Sequence, residues 1–241
     1  MNEQWDSRTR LLLGDDGCRR LREAHVLVVG VGGVGGYAAE MLARTGVGHL
    51  TLVDADCVAE SNLNRQIIAL RDSIGVPKVE LFRRRIAEIC PEIEVTPRLE
   101  FVDPESVGEL LDSDRFDFVI DAIDTVAPKC ALLIEALRRK IPVISSMGAG
   151  GRVDPTKIGY FDLWETRQDG LARAVRQRLK KAGMRRPLKV VASTEPPRAC
   201  SVIDLDLRNK RSSYGTVAAI PSMFGIYLAS YVTNRLSGIN D

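Results

Sequence analysis

Short strand-like runs alternate with segments of helical periodicity along residues 1–150, and this alternation constrains the fold more than any other feature. The strand-like runs lie at 25–30, 49–54, 93–100, 116–124 and 142–149. The helical segments between them lie at 36–46, 78–90, 104–113 and 127–140. Parallel strands need long crossover connections, which are usually helices. The alternation therefore predicts an α/β fold, with a mostly parallel sheet and helices on both of its faces.

A glycine-rich turn, "VVGVGGVGG" (28–36), joins the first strand-like run to the first helical segment. Glycines let the backbone approach a phosphate at the helix N-terminus, where free N–H groups and the helix dipole favour negative charge. The four glycines assigned to this role are Gly30, Gly32, Gly33 and Gly35. Asp54 ends the second strand-like run, where a carboxylate can accept hydrogen bonds from ribose hydroxyls. These features predict a Rossmann-like fold that binds an adenine nucleotide, and by themselves they do not distinguish NAD from ATP.

No internal repeat or low-complexity linker divides the chain, although the regular alternation of predicted strands and helices ends after Gly151. Residues 152–163 are predicted to form an edge hairpin, and the apolar segment from 216 is expected to be a buried helix or a dimer surface. We predict one domain over 1–241, with a nucleotide-binding core at 1–150 and a C-terminal elaboration at 151–241.

The cysteines and the N-terminus bear on the cellular compartment. The five cysteines are scattered and form no C-x-x-C pair, which argues against a structural zinc site and against a disulfide framework. The N-terminus is polar and lacks the apolar core of a signal peptide, and no run approaches the ~18 apolar residues that span a bilayer. We therefore expect a cytoplasmic protein that does not enter a membrane.

Basic residues concentrate at 167–189, although the whole chain has a net charge of only +2. This segment holds nine Lys or Arg and one acid, so its charge is +8 and the rest of the chain carries −6. An apolar stripe at helical spacing predicts a helix whose arginines face outward. Such a patch indicates a polyanionic partner, and a solvated helix face is the alternative. The residues assigned to the partner are Arg173, Arg176, Arg178, Lys180, Lys181, Arg185 and Arg186.

Charged residues near the ends of the predicted strands favour ATP over NAD. Arg65 lies in "SNLNRQI", Lys78 lies in "GVPKVE", and "DAID" ends the fourth strand-like run with Asp121 and Asp124. The carboxyl ends of parallel strands meet at one edge of a sheet, so these side chains should lie beside the bound phosphates. Two cations, a carboxylate suited to Mg²⁺ and a phosphate-binding turn are typical of phosphoryl or nucleotidyl transfer. We expect Asp124, rather than Asp121, to bind the metal.

The series "GVGGVG…LVDADCVAESNLNRQ…GVPKVE…DAID" resembles the adenylating domain of the ubiquitin-activating-enzyme superfamily. Its bacterial members include the activators used in molybdopterin and thiamine synthesis, and they adenylate a carboxylate with ATP and Mg²⁺. The resemblance implies that Asp54 holds the ribose and that Asn64 and Arg65 contact the phosphates. Gln66 would support their loop, and Lys78 would contact the triphosphate. The same pocket would include Asp56, Asp121 and Asp124, with Asp124 in the metal-binding role.

Within that superfamily the chain is similar to the tRNA threonylcarbamoyladenosine dehydratase branch, over residues 8–165 and again in "STEPPR" and "YGTVAAIPSMFG". This implies ATP-dependent cyclisation of threonylcarbamoyladenosine in tRNA. Arg8, in "SRTRLLLG", matches an arginine that reaches into the partner subunit's active site, which implies a homodimer. Some members carry a cysteine shortly before the motif that reads "YGTVAA" here; this chain has "RNKRSSYGT", which disfavours a thioester step. Whether a sulfurtransferase partner docks is left open.

Three other functions compete with this interpretation. An adenylating activator of a ubiquitin-like sulfur carrier shares the nucleotide site, but the missing C-x-x-C pairs and the basic segment weigh against it. An NAD-dependent oxidoreductase is disfavoured by Arg65, by Lys78 and by the lack of an evident acid/base residue near a nicotinamide slot. A non-catalytic nucleotide-binding scaffold would leave the whole set of motifs without a purpose.

Overall fold

The structure is a computed structural model that describes residues 4–199, 202–207 and 210–239. The strands are β1 (His25–Val29), β2 (His49–Val53), β3 (Glu94–Arg98), β4 (Phe118–Asp121), β5 (Val143–Ser146), β6 (Ile158–Asp162), β7 (Lys189–Ser193), β8 (Val202–Leu207) and β9 (Lys210–Tyr214). The helices are α1 (Ser7–Glu23), α2 (Gly35–Thr45), α3 (Lys78–Ile89), α4 (Val107–Asp112), α5 (Val126–Arg139), α6 (Gly170–Lys181) and α7 (Ala219–Ser237). None of the helices in the described part of the chain combines the length and the hydropathy needed to cross a lipid bilayer.

Seven strands form one sheet in the order β3-β2-β1-β4-β5-β7-β6, and β8 pairs with β9 in a separate antiparallel ribbon. All neighbours in the large sheet run parallel except β6, which is antiparallel to β7. The central strand β1 pairs with β2 on one side and with β4 on the other, so the glycine-rich turn leaves the sheet between them. The predicted mostly parallel α/β sheet is confirmed.

Helices cover both faces of the sheet, because successive side chains of a buried strand point to opposite sides. On one face, Val28 and Leu52 share a core with Phe82 of α3 and Phe224 of α7. On the other face, Leu27 and Val119 pack with Leu132 of α5, and a continuation of that core includes α6. The two layers of helices leave the carboxyl edge of the parallel strands open for a ligand.

The C-terminal apolar segment forms the helix α7, most of whose large apolar side chains are buried. Helix α7 packs on α2 so closely that a Cβ on Gly225 would lie 2.2 Å from the Val34 carbonyl oxygen. The Arg20 guanidinium of α1 donates to the carbonyl oxygen of Ser237 and so holds the end of α7. The last helix therefore stabilises the layer that carries the glycine-rich turn.

The predicted edge hairpin at 152–163 is wrong. Asp154 accepts a hydrogen bond from the Thr156 backbone and caps a short 3₁₀ turn, so the strand begins only at Ile158. Strand β6 then pairs with β7, which follows α6 in the chain, instead of folding back on its own segment. Helix α1 was not predicted at all. It is broken at Gly14, whose φ of 70° is left-handed, and this interruption hides its periodicity.

Candidate active site

The glycine-rich turn is built for close backbone approach. Gly30 has a φ of 84°, which favours glycine, and a Cβ there would lie 2.9 Å from the Ala122 carbonyl oxygen. A Cβ on Gly35 would lie only 1.8 Å from the Gly30 carbonyl oxygen, so no larger residue fits at the start of α2. The turn consequently places the N-terminus of α2, whose helix dipole favours negative charge, at the carboxyl edge of the sheet.

Asp54 follows β2 and ties it to the turn. One of its carboxylate oxygens accepts from the Val31 backbone N–H at 2.8 Å, and the other accepts from the Asp56 N–H at 2.9 Å. Burial raises the pKa of the Asp54 carboxyl, and the nearby Lys78 together with the two N–H donors only partly offsets this. Each carboxylate oxygen keeps a lone pair, so Asp54 can accept further hydrogen bonds from a ligand hydroxyl.

Lys78 begins α3 and is 4% exposed. Its ammonium lies 2.7 Å from a carboxylate oxygen of Asp56 and 3.8 Å from one of Asp54. The sequence-predicted residues Asp54, Asp56 and Lys78 therefore form one cluster. Because Asp56 is exposed while Lys78 is not, the ion pair can open toward a ligand without unfolding its surroundings.

Arg65 lies against the glycine-rich turn, since a Cβ on Gly33 would lie 3.3 Å from Arg65 Cγ. Its guanidinium donates to the Ser61 carbonyl at 2.7 Å and to the Asn64 side-chain oxygen at 3.0 Å. The Asn64 amide in turn donates to the carbonyl of Thr216 at 3.2 Å. The loop that carries the arginine is thus held in place by its own backbone and by the segment before α7.

Gln66 carries an unpartnered polar atom at this edge. Among the described residues, its Oε1 is the single buried side-chain oxygen or nitrogen that has no hydrogen-bond partner. Its Nε2 would lie 3.6 Å from a Cβ on Gly32, so the amide group borders the turn. Leaving a buried acceptor unpaired costs ~1–3 kcal/mol, and a bound ligand or an ordered water removes that cost. Gln66 thus marks a place that a ligand can complete.

The two aspartates of "DAID" occupy different environments. Asp121 is completely buried, and its carboxylate lies 2.5 Å from the Lys129 ammonium and 2.6 Å from the Ser145 hydroxyl. It also accepts from the Ile123 backbone N–H at 3.1 Å and so holds the loop that follows β4. Asp124 is exposed on that loop, whose first residues, Ala122 and Ile123, lie against Gly30 of the glycine-rich turn. This geometry favours Asp124 for contact with a ligand and gives Asp121 an internal, supporting contact.

A magnesium ion fits this arrangement if the nucleotide supplies most of its ligands. Within the described residues, no group of three or more His, Cys, Asp or Glu side chains could hold a metal ion by itself. Mg²⁺ is usually bound through one or two carboxylates together with substrate phosphates and water, rather than by a protein cage. A single exposed carboxylate at Asp124 is consistent with that mode of binding.

Arg8 stands apart from the residues at the carboxyl edge. It is exposed on α1, and no hydrogen bond or ion pair joins it to another residue in the described part of the chain. The neighbouring side chains Leu11 and Leu12 are 82% and 75% exposed. The first half of α1 therefore presents an arginine and two large apolar side chains to the outside of this subunit.

Helix α6 carries most of the predicted basic patch. The predicted apolar stripe was Leu171, Val175, Leu179 and Ala182; Val175 and Leu179 face the core as predicted, whereas Leu171 is half-buried and Ala182 is exposed. The expectation that its arginines all face outward is wrong for Arg176, which is half-buried and donates to the carbonyls of Leu163 and Thr166. The other six assigned residues are exposed: Arg173, Arg178, Lys180, Lys181, Arg185 and Arg186.

Sequence reasoning missed the contacts that hold the site in shape. The pairing of Asp121 with Lys129 and Ser145 is not visible in any local motif, because the three residues come from β4, α5 and β5. One signal was available: Lys129 is charged on an otherwise apolar stretch of α5. Lysines are almost never fully buried unless they are paired.

The chain is similar to enzymes of known activity over most of its length. It is 47% identical to the tRNA threonylcarbamoyladenosine dehydratase of Escherichia coli (strain K12) over 183 residues, which are 75% of this chain and 68% of that protein. It is 39% identical to the enzyme of the same name from Bacillus subtilis (strain 168) over 238 residues, 95% of this chain and 93% of the relative.

The fold agrees with these relationships. A crystal structure of the E. coli tRNA N6-threonylcarbamoyladenosine dehydratase in complex with ATP superimposes with a TM-score of 0.88. The two chains are 38% identical, and the match covers 97% of this chain and 94% of the other. The model of the ThiF family matches residues 7–241, and this chain is therefore a member of the ThiF family.

Proposed function

We propose that this protein is an ATP-dependent tRNA-modifying enzyme, which converts threonylcarbamoyladenosine to its cyclic form by adenylating the carboxylate of the modification. One observation carries the proposal. The carboxyl edge of the sheet gathers a glycine-rich helix N-terminus, Asp54, Lys78, Arg65 and Asp124, which together suit a nucleoside triphosphate. Relatives named for this reaction match the chain over most of its length, which supports the choice of substrate.

In the first step, a carboxylate oxygen of the modified nucleoside attacks the α-phosphorus of ATP. The bond between the α-phosphorus and the bridging oxygen breaks, and pyrophosphate leaves. Asp54 holds the ribose hydroxyls, while the N–H groups of the turn meet the phosphates. Arg65 and Lys78 neutralise the charge that grows on the phosphate oxygens, and fixed charges of this kind are a major source of rate enhancement. Asp124 would hold a Mg²⁺ ion brought by the nucleotide, and that ion would add to the neutralisation of the phosphate charge.

In the second step, a neighbouring atom of the carbamoyl group attacks the acyl carbon, and AMP leaves with one of the original carboxylate oxygens. No general base is required for the first step, because a free carboxyl group with a pKa of about 4 is ionised at neutral pH. An intramolecular ring closure gains an effective molarity of roughly 10⁵ M or more from geometry alone. The enzyme therefore has to position the nucleoside and stabilise the leaving groups.

Three of the four described cysteines are unsuited to form an enzyme thioester. Burial raises the pKa of the Cys130 thiol to about 11, and it also raises the pKa values of Cys18 and Cys90. A thiol with a raised pKa is a poor nucleophile, because the reactive form is the thiolate. Cys57 is exposed, and Cys200 lies outside the described residues.

We further propose that two copies of the chain form a homodimer, in which Arg8 of one copy reaches the triphosphate of the other. Arg8 is exposed and lies next to the exposed Leu11 and Leu12. A surface that combines an arginine with large apolar side chains is typical of protein interfaces. The guanidinium would then add a third cation to Arg65 and Lys78 at the charge that develops on the phosphates.

The tRNA is placed on the exposed cations of α6 and of the loop that follows it. Lysine and arginine contacts to phosphates supply affinity that is independent of sequence and that falls with salt. Arg176 is left out of this surface, because its guanidinium is engaged by backbone carbonyls. A tRNA substrate also favours the cytoplasm as the compartment in which the enzyme works.

Pyrophosphate exchange separates this function from activation of a sulfur-carrier protein. The enzyme is incubated with ATP, Mg²⁺ and radiolabelled pyrophosphate, and with either tRNA that bears threonylcarbamoyladenosine or a small carrier protein that ends in Gly-Gly. We expect label to enter ATP only with the modified tRNA, and unmodified tRNA is the control. Exchange that depends on the carrier would instead identify a sulfur-carrier activator. No exchange with either substrate, combined with tight NADH binding, would favour an oxidoreductase.

A further inference from the structure

A second cleft opens at the opposite edge of the sheet from the candidate active site. It has a volume of about 440 Å³ and includes the first residues of β4, β5 and β7. Four cations line it, together with one acid, Asp162. The four cations are Lys140, Arg186, Lys189 and Arg235. The cleft therefore has a formal charge of +3, on a protein whose total is only +2.

The four cations are exposed, and they are not paired within the protein. None of their side chains forms a hydrogen bond or an ion pair with another residue in the ranges that the structure describes. Asp162 forms no ion pair with any of them; its carboxylate oxygens accept from the backbone N–H groups of Trp164 at 2.9 Å and Leu188 at 3.2 Å. By contrast, Arg85 and Arg139 elsewhere on the surface bond to carboxylates. Converging like charges repel one another, and a bound anion relieves this repulsion.

An aromatic side chain lies among these cations. Tyr231 lines the cleft and is half-buried. Its ring centroid lies 5.6 Å from that of Tyr160 and 6.2 Å from that of Phe118, which meets it edge-on. These contacts hold the ring in place beside Arg235, which is one helical turn further along α7. Cations that meet a backbone and an aromatic ring that meets a base are the combination by which proteins bind single-stranded nucleic acid.

The cleft and the nucleotide site lie at opposite edges of the sheet. Phe118 in the cleft begins β4 and Asp121 ends it, so the strand alone separates the two edges of the sheet by about 10 Å at ~3.3 Å per residue. The cleft is therefore separate from the nucleotide site. Arg186, at its rim, also belongs to the exposed basic segment that follows α6. Arg186 therefore connects the basic segment after α6 with the cleft.

We propose that this cleft binds the phosphate backbone of RNA, at a distance from the nucleoside that reacts. The inference rests on the proposed function for the identity of the RNA, which is the tRNA substrate. An acidic protein is a weaker match, since it would use the cations but would have no base to stack on Tyr231. Contacts to the backbone do not detect the modification, so the cleft binds modified and unmodified tRNA alike.

The test is a charge reversal in the full-length protein. Lys189→Glu/Arg235→Glu is compared with a control of equal charge change, Arg19→Glu/Arg84→Glu, which alters exposed arginines on α1 and α3. The probe is an unmodified tRNA transcript, and its binding is measured by fluorescence anisotropy across a salt series. Thermal melting and ATP binding report whether each variant is folded.

We expect the cleft variant to lose at least about tenfold in tRNA affinity at ~0.1 M salt. The slope of the logarithm of its binding constant against the logarithm of the salt concentration should become shallower by about one to two. Its affinity for ATP and its kcat at saturating modified tRNA should stay within about twofold of the wild type, while the KM for tRNA rises. The control variant should bind tRNA as the wild type does. Loss of the same size in both variants, or in neither, overturns the proposal.

Two further outcomes keep this proposal separate from the proposed function. If the wild type adenylates modified tRNA but the cleft variant binds tRNA normally, the cleft assignment fails and the proposed function stands. If the cleft variant loses tRNA binding but the wild type never adenylates modified tRNA, the proposed function fails and the RNA-binding cleft stands. Binding of polyglutamate that depends on the cleft cations, without binding of tRNA, would identify an acidic protein partner and overturn the RNA proposal.

Discussion

Lys129→Met should destabilise the protein strongly while changing its shape very little. The Lys129 ammonium is fully buried, 2.5 Å from an oxygen of the fully buried Asp121 carboxylate. Methionine replaces the length of the lysine side chain but removes its charge, which leaves a carboxylate in the core with only the Ser145 hydroxyl and one backbone N–H. Removing one partner of a buried ion pair costs about 3–5 kcal/mol. For a chain of this size, that corresponds to a fall in Tm of roughly 6–20 °C.

Urea unfolding followed by circular dichroism, at one fixed protein concentration, measures this loss. The matched control is Asp121→Asn/Lys129→Met, which removes both charges and should recover most of the stability. Asp121 also accepts a hydrogen bond from the Ile123 N–H, which holds the loop that carries Asp124. Lys129→Met should disturb Asp121 and thereby this loop, so this variant should also bind ATP less tightly. A loss below about 1 kcal/mol for Lys129→Met, as for an exposed ion pair, would refute the claim that a buried pair supports the site.

Three other perturbations address the nucleotide site directly. Arg8→Ala and Lys78→Ala should each be inactive alone. Mixed dimers of the two variants should recover part of the pyrophosphate exchange, because one of their two active sites then has both a wild-type Arg8 and a wild-type Lys78. No recovery would exclude a site shared between subunits. Burial raises the pKa of Asp54, so on acidification this carboxylate takes up a proton at a higher pH than an ordinary aspartate does. Adenosine binding, measured by calorimetric titration, should weaken over that pH range. Asp54→Asn should abolish this pH dependence. Gly35→Ala places a Cβ 1.8 Å from the Gly30 carbonyl oxygen and should lower the free energy of unfolding by about 1–3 kcal/mol or more. The control is Gly32→Ala, whose Cβ would lie 3.6 Å from Gln66 Nε2, and it should unfold as the wild type does.

The architecture of the sheet could be predicted well, because it depends mainly on local sequence patterns. Strands β1, β2, β4 and β5 are short, mostly apolar runs, and the helices between the strands show clear amphipathic spacing, so most of these elements are encoded by their own residues. The edge that carries Asp54, Lys78 and Asp124 then follows from the parallel topology, because all carboxyl ends of parallel strands share one edge. The structure brings Asp54 and Lys78 together as that topology requires.

The features that sequence reasoning missed depend on contacts between distant segments. Strand β6 looked like half of a hairpin, but its partner β7 lies beyond α6. The break at Gly14 concealed α1. The outward spacing of Arg176 gave no hint that backbone carbonyls would bind its guanidinium. The different environments of the two aspartates in "DAID" likewise depend on Lys129, which only the packing of α5 on the sheet places beside β4.

The fate of the carboxylate oxygens tests the central claim that this edge of the sheet joins a carboxylate to AMP. The modified tRNA is prepared with oxygen-18 in the carboxylate of its threonylcarbamoyladenosine, and one turnover with unlabelled ATP is followed by mass spectrometry of the nucleotides released. Attack on the α-phosphorus predicts that one labelled oxygen appears in AMP and none in pyrophosphate. Label in inorganic phosphate accompanied by ADP, or a cyclised product formed without labelled AMP, would contradict carboxylate adenylation and the roles assigned here to Arg65 and Lys78.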